Sequence, residues 1–129
     1  MSEQFSFKLV TPEKIFLEGE AQIIVVPGLE GDIGFLSNHT NLITSLRPGM
    51  IKVSGSDSEE TSIFVDGGFV KFSDNELLVV AEEAVENDQI DNDFINLKLK
   101  KYNDDILIAN EADKVKISNK IDSLKLLLN

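Results

Sequence analysis

Short hydrophobic runs, separated by turn residues, fill the first two-thirds of the chain. Phe5, Phe7 and Leu9 alternate with polar residues, which is the period of two typical of a half-buried strand. Together with the other short hydrophobic runs, this predicts strands at residues 5–9, 15–17, 22–26, 42–46, 51–53, 62–65, 69–72 and 77–81. Many short strands at this spacing predict a sandwich or a barrel.

Two of these runs do not alternate. Ile23-Ile24-Val25-Val26 and Leu77-Leu78-Val79-Val80 are hydrophobic at every position. An antiparallel sheet usually keeps one face in water, so such strands either run through the middle of a closed sandwich or are covered by another element. The pattern favours the central position and leaves the second explanation open.

Glycine and proline predict where the strands turn. Asp66-Gly67 is predicted as the centre of a two-residue hairpin loop, which needs positive φ, and Gly55-Ser56 as a further turn. The segment PGLEGDIG, residues 27–34, is predicted as a long loop with several positive-φ glycines. Its glycine spacing fits neither phosphate-binding motif, and its two acidic residues would repel phosphate. An exposed acidic loop of this kind is a candidate contact surface.

The last third of the chain has a helical period instead. Hydrophobic residues recur every three or four positions in two series, Ile95-Leu99-Tyr102-Ile106-Ala109 and Ile117-Ile121-Leu124-Leu128. Asn110, followed three residues later by Asp113, resembles a capping box between them. The pattern predicts an antiparallel hairpin of two helices of ~15 residues. The predicted fold class is therefore α+β, an antiparallel β-sandwich over residues 1–86 followed by a helical hairpin over residues 87–129.

Charge and breaker residues divide the chain at the same place. Residues 1–89 hold five basic and sixteen acidic residues, whereas residues 90–129 hold seven of each. All eight glycines and all three prolines lie before residue 69. The net charge of −11 would repel nucleic acid and anionic lipid, so neither is an expected partner. No hydrophobic run approaches ~18 residues, so no membrane insertion is expected.

The rare residue types leave little room for catalysis. The chain has no cysteine, one histidine and one arginine, His39 and Arg47. A serine triad of Ser37, His39 and Asp32 can be imagined, but no G-x-S-x-G turn accompanies it, so a hydrogen-bonded loop histidine is the expected role. We predict no catalytic residues, no metal site and no cofactor.

Ordered motifs along residues 5–85 form a set that is specific only as a whole. They are Thr11-Pro12-Glu13, Phe16, Gly19-Glu20, Val26-Pro27-Gly28, Gly31, Gly34, Leu36, His39, Leu42, Leu46, Pro48-Gly49 and Gly67-Gly68-Phe69. This set resembles the epsilon subunit of bacterial rotary (F-type) ATP synthases, which is similar to the delta subunit of the mitochondrial enzyme. Residues 86–129 agree with that family in length and helical pattern but share few of its sequence motifs.

The resemblance implies a sandwich of about ten strands and a non-catalytic rotor subunit of the central stalk. The implied partners are the gamma subunit, the ring of proton-carrying membrane subunits and the catalytic head. The implied location is peripheral, at the cytoplasmic face of the bacterial inner membrane. The loop with Glu30, Gly31 and Asp32, and His39 close to it in sequence, would face the ring. The hairpin would serve as a regulatory element that restrains ATP hydrolysis.

Some members of that family bind ATP at the start of the first hairpin helix. Their pattern there is Ile or Leu, Asp, two free positions, Arg and Ala. Ile90 and Asp91 match the first two positions, but Phe94 stands where the arginine is expected. The sequence therefore argues against nucleotide binding at this place, although lysines follow on the same helix.

A second hypothesis comes from a different functional class. The chain could be a stand-alone acidic β-sandwich that binds a small ligand, with the helices as a lid. Such a protein needs an apolar pocket with a few convergent polar groups. The chain has no tryptophan, so it offers little for stacking against a sugar.

Overall fold

A computed structural model describes residues 3–55 and 60–128 of the chain. Ser56, half of the predicted Gly55-Ser56 turn, lies outside these ranges. The elements are β1 (Phe5–Val10), β2 (Ile15–Ala21), β3 (Ile23–Gly28), β4 (Gly31–Leu36), β5 (Leu42–Ser45), β6 (Gly49–Ser54), β7 (Glu60–Ser73), β8 (Glu76–Glu86), a 3₁₀ turn (Asn87–Gln89), α1 (Asn92–Ile106) and α2 (Glu111–Lys125). They form two compact units, Met1–Val85 and Glu86–Asn129. We describe each unit by itself.

The strands of the first unit form one hydrogen-bonded path, in the order β2-β1-β8-β7-β6-β3-β4, with β5 paired to β7. The pairs β1–β2, β3–β4, β3–β6, β5–β7 and β6–β7 are antiparallel. β1 and β8 run parallel, with Phe7 opposite Leu77. The expectation of a purely antiparallel sheet was therefore wrong for this pair. The chain between β1 and β8 carries six other strands, which is long enough for a parallel crossover.

The path closes into a sandwich because distant strands share one core. Leu9 of β1 and Val26 of β3 are buried in the same hydrophobic cluster. Three of its phenylalanines have rings in contact. The rings of Phe35 and Phe72 stack with centroids 5.5 Å apart, and Phe5 meets Phe72 edge-on at 5.6 Å. Offset and edge-on pairs of this kind stabilise a core beyond the area that they bury.

Two glycines inside β7 correct the sequence interpretation. The predicted hairpin at Asp66-Gly67 does not exist, because residues 60–73 continue as one strand. Gly67 and Gly68 have φ of +76° and +107°, so they distort the strand locally without reversing it. The residues before the glycines pair with β6, and the residues after them pair with β5. The two short strands predicted on either side are therefore halves of a single long one.

The glycine-rich segment also differs from its prediction. Residues 27–34 were expected to form a long loop, but they form a hairpin in which β4 pairs with β3 along its whole length. Gly31, with φ of +145°, is the one glycine of this segment at positive φ. Within residues 3–55 and 60–128 there are eight strands rather than about ten, and β4 is one that the hydrophobic pattern did not predict.

The two fully hydrophobic strands lie inside the sheet and not at its edges, which agrees with the central position that the pattern favoured. β3 pairs with β4 on one side and with β6 on the other, and β8 lies between β1 and β7. Ile24 and Val26 of β3 are buried, and Ile23 and Val25 on the opposite face are half-buried.

The helical predictions are confirmed. Both helices have 15 residues. Asn110 caps α2 by accepting a hydrogen bond from the backbone N–H of Asp113 at 2.8 Å. Ile95 of α1 and Leu124 of α2, both on the predicted faces, are buried. The ammonium of Lys120 in α2 lies 5.3 Å from the ring centroid of Tyr102 in α1, which joins the two helices by a cation–π contact.

Gly68→Ala tests the close approach of β7 to β8. A Cβ on Gly68 would lie 1.9 Å from the carbonyl oxygen of Val80, and its φ disfavours any side chain. We expect the free energy of unfolding, measured by urea titration of the full chain, to fall by about 2–4 kcal/mol. Gly34→Ala is the control, because a Cβ there meets nothing within 4 Å. Equal effects of the two substitutions would contradict this account of the fold.

Candidate docking site

The β3–β4 turn, which we define as residues 28–32, is closed by two glycines. Gly28 ends β3 opposite Gly31, the first residue of β4. A Cβ on Gly28 would lie 2.5 Å from the carbonyl oxygen of Gly31, and Gly31 itself has positive φ. Both positions therefore need glycine, and Leu29 and Glu30 are left at the tip of the turn.

The tip of this turn is open to solvent. Leu29 is 53% exposed, and Glu30, Gly31 and Asp32 are exposed as well. Glu30 forms no ion pair with any residue that the structure describes. A hydrophobic and an acidic side chain thus project together from a well-packed sandwich. This combination suits contact with a partner surface that carries basic or polar groups.

Arg47, in the connection between β5 and β6, holds the turn from the side. Its Nη1 donates a hydrogen bond to the carbonyl oxygen of Gly28, and its Nη2 donates to Oδ1 of Asp32, both at 2.5 Å. From sequence, Arg47 was noted only as the single arginine of the chain. No local pattern could have found this contact, because fifteen residues separate Arg47 from Asp32.

The structure does not bring His39 to the β3–β4 turn. His39 follows β4, whose two ends lie about 16 Å apart at ~3.3 Å per residue. Its ring contacts Phe35 at 4.7 Å and Phe72 at 5.5 Å between centroids. Nδ1 lies 2.6 Å from the carbonyl oxygen of Thr40, which can only accept, so Nδ1 carries the proton. His39 therefore packs on the aromatic part of the core, in the hydrogen-bonded role expected for it.

The loop around His39 has its own polar network. The backbone N–H of Asn38 donates to Oδ1 of Asn75 at 2.7 Å, and the Nδ2 of Asn38 donates to Glu3 at 3.0 Å. The hydroxyl of Ser37 joins the same network through Glu3 at 3.2 Å. Ser37 is therefore engaged in structural hydrogen bonds, and Asp32 lies at the other end of β4. The imagined triad is not assembled.

The start of α1 does not look like a phosphate site. Asp91, one of the two residues that match the ATP-binding pattern, caps the helix by accepting from the backbone N–H of Phe94 at 2.8 Å. Ile90, the other, lines a shallow surface depression with Asp91, Asn92 and Asp93. The carboxylates of this lining would repel a triphosphate. The nearest lysines lie beyond the first turn of α1. The ammonium groups of Lys98 and Lys101 in α1 and of Lys120 in α2 come within 5.3–5.9 Å of the ring centroid of Tyr102.

A groove over β1, β2 and β8 bears on the ligand-binding hypothesis. Its volume is about 510 Å³, and Lys8, Glu18, Glu20 and Glu76 are among the residues that line it. Lys8 and Glu18 form an ion pair of 3.8 Å there. The groove is an open surface feature, and its polar groups are mainly charged side chains that face solvent, so it does not enclose a small ligand as a binding pocket does.

Among residues 3–55 and 60–128, no group of three or more His, Cys, Asp or Glu side chains is placed to hold a metal ion. Within the same ranges, neither helix has the length and hydrophobicity needed to cross a membrane.

The fold is a β-sandwich with an exposed acidic turn, followed by a helical hairpin, an arrangement that suits a subunit of a larger assembly. Known proteins share this arrangement. The family described as "ATP synthase, Delta/Epsilon chain, beta-sandwich domain" matches residues 4–87. The ATP synthase epsilon chain of Parvibaculum lavamentivorans is 34% identical over 126 residues, which cover 97% of this chain and 96% of that protein. The epsilon chain of Pelagibacter ubique is 37% identical over 130 residues, which cover 98% and 99%.

The chain therefore belongs to the ATP synthase epsilon chain family, whose members are non-catalytic subunits of the synthase. The resemblance seen in the sequence is confirmed, and the stand-alone ligand-binding hypothesis is not favoured. Solved structures share the fold. One is a chain of the Euglena gracilis mitochondrial ATP synthase, with a TM-score of 0.76, 21% identity and coverage of 96% of this chain and 79% of that one. Another, from the Tetrahymena thermophila mitochondrial ATP synthase, has a TM-score of 0.64, 16% identity and coverage of 97% and 94%.

Isothermal titration with magnesium-ATP tests the hairpin. We expect the full chain to bind ATP with a Kd of about 1 mM or weaker. The acidic start of α1 and the phenyl ring of Phe94 supply no group that pairs with phosphate. Lys98→Gln is the matched variant, because it removes a lysine one turn beyond Phe94. A Kd of a few micromolar that Lys98→Gln weakens would contradict this prediction and demonstrate a lysine-based site.

Proposed function

We propose that this chain acts in the central stalk of a bacterial ATP synthase and couples the catalytic head to the proton ring. The sandwich, residues 1–86, carries attachment to the gamma subunit and to the ring of proton-carrying subunits. The hairpin, residues 87–129, is a regulatory element that restrains ATP hydrolysis. The proposed location is peripheral, at the cytoplasmic face of the bacterial inner membrane. The two structural neighbours support this proposal, since both belong to ATP synthase assemblies described as including a c-ring.

The exposed β3–β4 turn is the observation that carries the proposal. Its tip, Leu29 and Glu30, projects from strands that are packed on the buried core. A subunit that transmits torque needs contact groups whose positions do not yield under load. A tight hairpin turn on a sandwich meets that requirement better than a long loop, because its backbone is hydrogen-bonded across both strands. The negative charge of Glu30 would complement basic groups on the ring.

The hairpin offers a different kind of surface. Leu107 and Ile108, in the connection between the helices, are 78% and 89% exposed. Leu97 and Leu126 are also largely exposed, at 70% and 81%. Exposed hydrophobic side chains on the hairpin, and above all the pair in its connection, support a role in contacting another subunit, since burying them there would be favourable. Such a contact is how an extended hairpin would restrain hydrolysis.

Truncation tests the proposal that the sandwich carries attachment and the hairpin carries regulation. We expect a chain ending at Glu86 to fold and to co-purify with the gamma subunit and the catalytic head, as the full chain does. The reason is that the residues of the sandwich's hydrophobic core all lie between Phe5 and Ala84. Co-purification from detergent-solubilised membranes, with subunits identified by mass spectrometry, measures this. Loss of gamma binding in a truncated chain that keeps a dispersed amide spectrum would overturn the assignment.

Glu30→Lys tests the turn in the assembled synthase. We expect the ratio of proton pumping to ATP hydrolysis in inverted membrane vesicles to fall by about twofold or more, because like charges across an interface weaken association. Glu76→Lys is the matched control, with the same change of charge on an exposed residue at the opposite end of the sandwich. An unchanged ratio in Glu30→Lys would remove the turn from the proposed mechanism.

A further inference from the structure

We propose that Arg47 is a positioning residue for docking, and that Asp32 acts through Arg47 rather than on the partner subunit. This inference rests on the proposed docking function of the β3–β4 turn. It changes the expectation drawn from sequence, in which Glu30 and Asp32 contribute to the contact in the same way.

The guanidinium of Arg47 spans both strands of the hairpin. Gly28 is the last residue of β3, and Asp32 is the second residue of β4, opposite Pro27. Two separate nitrogens of one planar group reach these two positions, at 2.5 Å each. The fork fixes the spacing of its two acceptors, so it holds the base of the turn at one width. An ammonium on a flexible stem would keep the charge but not this geometry.

Backbone contacts place Arg47 for this task. Its own N–H donates to the carbonyl oxygen of Pro27 at 2.9 Å, and the N–H of Leu29 donates to Ser45 at 2.9 Å. Leu46 bridges to Gly28. The β5–β6 connection therefore lies along one side of the turn, and Arg47 adds the side-chain contact to β4 that the backbone does not make.

The ion pair also redistributes the charge of the turn. The carboxylate of Asp32 is offset by Arg47, whose side chain is only 26% exposed. Glu30, which has no such pair among the described residues, is left as the uncompensated charge at the tip. A partner surface would thus meet the hydrophobic side chain of Leu29 and one negative charge, at positions that Arg47 maintains.

Hydrogen exchange of the full chain tests the clamp without any partner. We expect the Leu29 amide to exchange about tenfold faster in Arg47→Gln, because the turn opens locally when its side-chain contacts are lost. Asp32→Asn added to Arg47→Gln should cause no further increase. Lys52→Gln is the control, since it removes one exposed positive charge from β6 and leaves the turn untouched. Unchanged exchange at Leu29 in Arg47→Gln would overturn the inference.

The second measurement uses the assembled synthase in inverted membrane vesicles. We expect Arg47→Gln to lower the ratio of proton pumping to hydrolysis by about twofold, and Arg47→Lys to recover part of that loss. Asp32→Asn should lower the ratio only when Arg47 is present. An equal loss from Asp32→Asn in the Arg47→Gln background would show that Asp32 contacts the partner directly and would overturn the inference.

The two proposals fail in different ways. If Glu30→Lys lowers the pumping ratio and Arg47→Gln does not, the docking function stands and the positioning role of Arg47 is wrong. If neither variant lowers the ratio while Leu29 exchange still responds to Arg47→Gln, the docking function itself is wrong. In that second case the clamp is a structural feature of the hairpin only.

Discussion

The close approach of two backbones, at Gly68 of β7 and Val80 of β8, is the constraint on which the rest of the sandwich depends. No side chain fits between them, since a Cβ on Gly68 would lie 1.9 Å from the carbonyl oxygen of Val80. One long strand runs through this point, paired with β6 before it and with β5 after it. The carbonyl oxygen of Gly68 also accepts a hydrogen bond from the N–H of Leu46 at 3.0 Å. Since Arg47 is the next residue, the same constraint helps to place the group that holds the β3–β4 turn.

The two ends of the sandwich serve different purposes. At one end, the β3–β4 turn presents Leu29 and Glu30 on a base held by Arg47. At the other end, Asn38 and Asn75 are hydrogen-bonded and His39 packs on buried phenylalanines. The first end leaves polar and hydrophobic groups available, whereas the second uses its polar groups internally. If the subunit docks through the β3–β4 turn, as proposed, this asymmetry is useful. The groups that contact the partner and the groups that stabilise the fold are then different residues.

Local chemistry explains which elements were predictable. The helices were predicted correctly, with the cap at Asn110, because helical periodicity and caps involve residues only three or four positions apart. The strands were predicted less well. β4 was missed, and β7 was divided in two, because in both places the prediction depended on the role of a glycine. Gly67 looked like a turn residue, but it lies inside a continuous strand, where the side chain of Glu82 in β8 occupies the space that a Cβ would need. The same residue type serves a turn or a close contact inside a strand, and the neighbouring residues in sequence do not distinguish these roles.

The sequence by itself determined the class of the fold, the boundary between its two parts in composition, and, through its ordered motifs, the family. Those properties depend on hydrophobic period, breaker residues and motif order, all of which are features of the residue order alone. Tertiary structure decided the composition of the candidate site. It separated His39 from the β3–β4 turn by the length of a strand, and it joined Asp32 to Arg47 across fifteen residues. Hydrogen bonds and ion pairs act over a few ångströms in space, so which residues share them follows from strand pairing and not from distance along the sequence.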